Sequence, residues 1–215
     1  MNSLKAVIFD FDGLLFNSEP TWDKTYYIFL KNHHVTGNEE VEASMYGSGL
    51  IDAVQIIKDK MGLVGETSDL VADYRRLFYE EFFKKKDILM QGALEILEKA
   101  KEKQLIIAMT SGGHTKEKLV EILKLHDIYN YFSVIVSSDD VSHGKPAPDV
   151  YLEAIKELKL NAEDCLAFED SPNGVMAAKA SGICVYGVNN DEKTRNDLIE
   201  VDANKVFKYL SEVEL

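Results

Sequence analysis

Asp10 and Asp12 stand two residues apart at the end of an apolar run, in the stretch KAVIFDFDGLL of residues 5–15. Ala6, Val7, Ile8 and Phe9 are what a strand buried on both faces of a parallel sheet presents. A strand repeats every two residues, so both carboxylates leave its end on one side. Gly13 lets the chain turn sharply straight after. Like charges this close raise one another's pKa unless a cation sits between them. The pattern suits a metal-assisted site, or a nucleophile beside an acid/base. It equally suits a solvated acidic turn, and only the context of so short a motif separates these readings.

Three later apolar runs also end in polar groups. After 105–109 come Thr110, Ser111, Gly112 and Gly113, then a helix. Hydroxyls, flexible backbone and a helix N-terminus together favour an anion, though such a stretch is also an ordinary strand-to-helix turn. After 134–136 comes a segment that sets Lys145 between Gly144 and Pro146, stiffened by two prolines. A lysine held there is a point charge for a phosphate, or a plain surface lysine. After 165–168 come Glu169 and Asp170, then Ser171 and Pro172 as N-cap and first helical position. Ligands of open α/β sheets bind at the carboxyl ends of the strands, so the four runs put four carboxylates, one lysine and an anion cradle at one sheet edge. Four acids against one lysine would repel strongly, and a divalent cation is needed. Carboxylate ligands without histidine or cysteine favour a hard ion, most simply Mg²⁺.

The elements that position these groups fall into two kinds. Residues 20–32, 50–61 and a stretch capped by Ser68 read as helices, with a shorter one at 39–45. Leu70, Val71, Tyr74, Leu77, Phe78 and Phe82 follow the stripe of a buried helical face. From Gly92 onward helix and strand alternate: helices at 93–103, 116–125, 148–158 and 172–180, strands at 105–109, 134–136, 165–168 and 184–188, then two short helical stretches. This predicts an α/β fold, a Rossmann-like parallel sheet core with an inserted all-helical block. Residues 1–16 and 89–215 form the core, and 17–88 the insertion.

The chain of 215 residues is 46% hydrophobic and 28% charged, an ordinary globular composition. Its net charge of −13 lacks the footprint of a nucleic-acid binder, so any phosphate must be captured by local positive charge. No apolar run reaches the ~18 residues of a membrane span, and no secretory signal is visible. Cys165 and Cys184 lie in predicted strands and read as buried free thiols of a reducing compartment. A cytoplasmic monomer with a small-molecule partner, and neither nucleic acid nor membrane, is expected.

The motifs DFDGLL, IIAMTSG, HGKPAPDVY and FEDSPNGVMAAKASG, in that order between Val7 and Val188, resemble the haloacid dehalogenase-like superfamily. The resemblance is to its branch of β-phosphoglucomutases and sugar-phosphate phosphatases. It implies that Asp10 is a nucleophile forming an aspartyl phosphate. It implies that Asp12 protonates the leaving alkoxide and then activates water. Asp10, the backbone carbonyl of Asp12 and Asp170 would hold Mg²⁺, with Glu169 a direct or outer ligand. Thr110, with Ser111 beside it, and Lys145 would bind the phosphoryl oxygens. The helical block resembles the family's cap, with Glu19, Trp22, Asp23, the Gly47-Ser48-Gly49 loop and His114 as substrate selectors. Trp22 equally reads as core of that block, and His33 and His34 as exposed.

The resemblance implies a Mg²⁺-dependent phosphatase of small monoesters, of sugars or polyols, with a phosphomutase as the alternative. Mutases of the branch carry a cap-loop arginine, and residues 47–50 hold none. Arg75 and Arg76 read as surface residues. A phosphonatase would need a Schiff-base lysine, which nothing marks in Lys24 or Lys31. A catalytically idle binding protein would be expected to have lost one of Asp10, Asp12, Lys145 and Asp170, all of which are present.

Overall fold

A computed structural model describes residues 4–45, 48–85 and 88–215. Its centre is a parallel sheet of β1 (Ala6–Asp10), β2 (Ile106–Ser111), β3 (Val134–Ser137), β4 (Cys165–Glu169), β5 (Cys184–Val188) and β6 (Lys205–Phe207). The spatial order is β3-β2-β1-β4-β5-β6, so the strand that carries Asp10 is central. The strand period of two divides the side chains between the two faces. Val7, Phe9, Ile107, Met109, Leu166 and Phe168 enter one core. Ala6, Ile8, Ala108, Cys165 and Ala167 enter the other. Phe9 and Phe168 stack at 4.9 Å between ring centres, and each ring so buried contributes roughly 1.5–3 kcal/mol.

Between β1 and β2 lie α1 (Glu19–Asn32), α2 (Glu39–Met45), α3 (Leu50–Met61), α4 (Thr67–Phe82) and α5 (Ala93–Glu102). The first four surround a core of their own, with Tyr26, Phe29, Leu30, Val54, Ile57, Leu70 and Tyr74 buried. The far half of α4 leaves that cluster, and its Phe78 and Phe82 pack into the sheet core. The two connections to the sheet run side by side: Met90 N donates to Leu15 O at 2.9 Å, and Asn17 N to Ile88 O at 2.7 Å. After β2 come α6 (Lys116–Leu125), α7 (Asp149–Leu158), α8 (Pro172–Ala180) and α9 (Glu192–Glu200), each following a strand.

The structure differs from the sequence reading in four places. β2 runs on through Thr110 and Ser111, because both still pair with neighbouring strands, Thr110 with Asp10 and Ser111 with Ser137. Helix α4 begins at Thr67 with Glu66 at the N-cap, so Ser68 lies inside the first turn. β6 is an additional strand whose three residues are too few to show a period; it pairs with β5 through Tyr186 and Lys205 and lies between the two expected C-terminal helical stretches, α9 and a short 3-10 turn at Leu210–Glu212. Cys165 is buried as expected, but Cys184 opens its strand on the exposed side; both are free thiols.

Candidate active site

Strand register brings the predicted groups together at the carboxyl edge of the sheet. Asp10 ends β1 beside Thr110 of β2. Glu169 ends β4 and Asp170 follows it. Ser171 caps α8, its hydroxyl accepting from Gly174 N at 3.2 Å. Lys145 precedes a cis peptide to Pro146. Its ammonium donates to Asp10 Oδ1, and to Glu169 Oε1 at 2.5 Å. All three side chains are buried. Burial works against the Lys145 charge, but Asp10 and Glu169 hold its pKa well above the ordinary lysine range.

Oxygens of Asp10, Glu169 and Asp170 lie within 4.8 Å of one another. Burial raises the Asp10 pKa well above the usual carboxylate range; Lys145 opposes this, while Glu169 and Asp12 add to it. Asp170 is raised in the same way by burial, then by Glu19, Asp10 and Glu169. The donor set fits a hard divalent cation on three counts. Every ligand is a carboxylate oxygen. Glu169 Oε2 is buried and has no hydrogen-bond partner among the described residues. The backbone around it is cut away: a Cβ at Gly13 (φ +69°) would overlap the Asp170 carboxylate, and one at Gly174 would overlap that of Glu169.

Thr110 Oγ1, near the carboxyl end of β2, is likewise buried without a partner among the described residues, an orphan that an anion could satisfy. Ser111, expected to join it, is turned elsewhere: its hydroxyl donates to Asp12 Oδ2 at 3.5 Å. Asp12 itself is held away from the Asp10 cluster. Its Oδ1 accepts from Trp22 Nε1 at 2.8 Å and pairs with His114 Nε2 at 3.1 Å. Burial works to raise the Asp12 pKa, but the His114 charge and hydrogen bond, with the Trp22 and Ser18 bonds, bring it below its ordinary value.

A cleft of about 620 Å³ opens between sheet and helical block. Asp10, Asp12, Lys145 and Asp170 line one wall, and Glu19, Trp22, Asp23, Tyr26, Glu42 and Tyr74 the other. Burial, then the charges of Asp12 and Asp23, push Glu19 up to about 8. Ser48 reaches the cleft, while Gly47 lies outside the described residues. Gly49 sits against the Gly112 backbone, and Leu50 N donates to Gly112 O at 3.0 Å. His114, grouped with the substrate selectors, is fully buried.

Other functional contacts escaped the sequence reading. The Tyr151 hydroxyl donates to Glu169 Oε1, and its ring lies 5.5 Å from the Lys145 ammonium. Asn189 Nδ2 donates to the Asp170 carbonyl at 3.1 Å. Tyr151 closes the quoted motif HGKPAPDVY, so its place was a signal; nothing marked Asn189. Arg75, expected at the surface, is mostly covered. It bridges the helical block to the sheet unit through Asp139 at 2.5 Å, because that face of α4 looks onto the turn after β3. Arg76 is exposed as expected. His33 is half-buried beside Asp73, and His34 is exposed.

A parallel sheet whose central strands end in buried acids and a paired lysine defines an α/β enzyme with adjoining places for a cation and an anion. The chain matches the family described as haloacid dehalogenase-like hydrolase over residues 7–188, and it belongs to that family. The phosphorylated carbohydrates phosphatase of Thermotoga maritima is 30% identical over 212 residues, covering 95% of this chain and 94% of that protein. The (DL)-glycerol-3-phosphatase 2 of Arabidopsis thaliana is 30% identical over 86% of this chain and 80% of its own length. A solved structure from Bacteroides vulgatus, provisionally assigned as a beta-phosphoglucomutase, superposes with a TM-score of 0.81 at 30% identity, covering 98% of this chain and 86% of that one. Within the family this chain is an enzyme of the phosphatase type.

Proposed function

We propose that the protein is a Mg²⁺-dependent phosphatase of small phosphate monoesters, those of sugars or polyols, working through an aspartyl phosphate on Asp10. The observation that carries this reading is the placement of Asp10, whose carboxylate meets the Lys145 ammonium and lies within 4.8 Å of oxygens of Glu169 and Asp170. The named relatives, phosphatases of phosphorylated carbohydrates and of glycerol 3-phosphate, support the substrate class.

Asp10, Glu169, Asp170 and the Asp12 carbonyl would hold Mg²⁺, which supplies positive charge against the oxygens of the transferring group. Lys145 and the Thr110 hydroxyl bind the other phosphoryl oxygens and stabilise the charge that develops there. An Asp10 oxygen attacks phosphorus, and the ester P–O bond breaks. Asp12 takes up the proton of the monoanionic ester and gives it to the departing alkoxide. Asp12 then takes a proton from water, whose oxygen attacks the same phosphorus. The bond to Asp10 breaks, and inorganic phosphate leaves with the carboxylate restored. The helical block acts as a cap that excludes bulk water and meets the alcohol. Free Cys165 and Cys184 are in keeping with work in a reducing cytoplasm.

The alternative of a phosphomutase must anchor a second phosphate. Lys193 is the one basic side chain besides Lys145 among the described residues lining the cleft. The meeting of Gly49 with Gly112 and Gly144 offers bare backbone where a mutase would place a cation. The test is phosphate release from hexose 6-phosphates, polyol phosphates, nucleotides and β-glucose 1-phosphate, with and without Mg²⁺. Mg²⁺-dependent release that prefers sugar or polyol phosphates is expected. Conversion of β-glucose 1-phosphate to the 6-phosphate without release would replace this reading with the mutase.

A further inference from the structure

His114 has no part in the chemistry above, yet both of its ring nitrogens are used. Its Nε2 lies 3.1 Å from Asp12 Oδ1, and its Nδ1 lies 2.9 Å from the Tyr79 hydroxyl. With the proton on Nε2 the donors run one way, Tyr79 O–H to Nδ1 and Nε2–H to Asp12. The ring has no solvent exposure. It is boxed by Phe11 at 4.7 Å, Phe78 at 5.1 Å and Trp22 at 5.4 Å between centres. Its carbonyl is fixed by the Ser137 hydroxyl at 2.5 Å. Gly113 allows this packing, since a Cβ there would stand 2.7 Å from the Trp22 ring.

The two oxygens of Asp12 are therefore unequal. Oδ1 is occupied by two ring N–H donors, while Oδ2 meets the long Ser111 contact of 3.5 Å; Ser18 adds a further bond to the carboxylate. A proton-transfer group works only when one oxygen is held in reach of the reacting atom, and a displacement of about 1 Å can cost ~100-fold. A histidine that merely satisfied itself in a core would need no carboxylate of the site as its partner.

We propose that His114, itself oriented by Tyr79, is a positioning residue that pins Asp12 Oδ1 and so presents Oδ2 to the leaving-group oxygen. The inference rests on the phosphatase reading. It also gives Tyr79 of the helical block an indirect hold on the acid.

The test is leaving-group dependence. An alkyl phosphate needs a proton at its departing oxygen, and 4-nitrophenyl phosphate does not. kcat/KM reports the steps up to formation of the phosphoenzyme, so the later water step does not blur it. His114→Phe keeps an aromatic ring in the box and removes both nitrogens. It is expected to lower kcat/KM for the best alkyl substrate about 10–100-fold, with a loss on the aryl ester at least about tenfold smaller. His114→Gln, which keeps a donor near Nε2, should recover much of the alkyl activity. Tyr79→Phe should give a weaker loss of the same selectivity, and it decides the matter if His114→Phe does not fold. Equal losses on both esters, or no loss on either, in these variants would overturn the proposal. Release of phosphate from both esters by the wild type is the control: its absence would count against the phosphatase reading itself.

Discussion

The sheet wall of the cleft and its helical wall handle charge in opposite ways. On the sheet wall Asp10 and Glu169 share Lys145, and Tyr151 adds a second donor to Glu169. These groups are buried, and each is fixed by partners from a different strand or loop. On the helical wall Glu19 is half-buried and Asp23 exposed, two neighbouring carboxyl groups that share the cleft with the rings of Trp22, Tyr26 and Tyr74. A buried network tied by short charged hydrogen bonds admits one geometry. A half-exposed acidic wall admits many. On the proposed reading the first wall is built for one reaction, and the second sets the identity of the alcohol.

That contrast can be broken at its strongest point first. Asp10→Asn should reduce Mg²⁺-dependent phosphate release by ~10⁴-fold or more, as loss of a nucleophile does. Release near the wild-type rate would remove the nucleophile from the sheet wall. Lys145→Ala should cost about 10²–10³ in kcat and also lower the melting temperature, because Asp10 and Glu169 would lose their buried counter-ion. A full loss of activity with unchanged melting would mean that Lys145 does not hold the wall together.

Metal dependence sharpens the comparison further. In the metal-free protein the Asp10 and Asp170 pKa values lie above the ordinary carboxylate range. The sign follows from linkage. A raised carboxylate pKa destabilises the fold as pH climbs from the unfolded value of about 4 to the folded one. Mg²⁺ displaces those protons, so it should raise the melting temperature more at pH 8 than at pH 5.5. Equal shifts at the two pH values would contradict the site. Asp170→Asn should abolish Mg²⁺-dependent turnover while making the metal-free protein more heat-stable. The smallest effect belongs to the helical wall: Glu19→Gln should change KM or substrate ranking by less than ~10-fold with little change in melting. A loss as large as that of Lys145→Ala would move Glu19 into the chemistry.

The parts legible in the sequence were those that repeat locally. Four apolar runs, each ended by polar residues, located Asp10, Thr110, Lys145 and Glu169 at one edge, because a parallel sheet gives its strand ends no other place. The apolar stripe of α4 gave Leu70 to Phe82 correctly as a buried face. What stayed hidden depends on contacts between distant residues. Asp12 and His114 are 102 positions apart, and no local period encodes that meeting. β6 exists because β5 offers an edge, and Thr110 counts as strand because Asp10 and Val136 flank it. Gly13 reads as a turn former, and Gly174 is one of several small residues in its helix. Their closeness to the Asp170 and Glu169 carboxylates emerged only in three dimensions.

The paired connections at Leu15–Met90 and Asn17–Ile88 make the sheet unit a socket. A segment whose ends leave side by side burdens its host little by its length, since each doubling of a closed loop costs only about 0.6 kcal/mol. Helices of other sizes could thus be plugged in at this point without rebuilding the sheet. The plug must still bring its own stopper. Phe78 and Phe82 fill the sheet core from the inserted side, so a grafted block that lacks two such rings would leave a hole beneath Phe11 and Phe16.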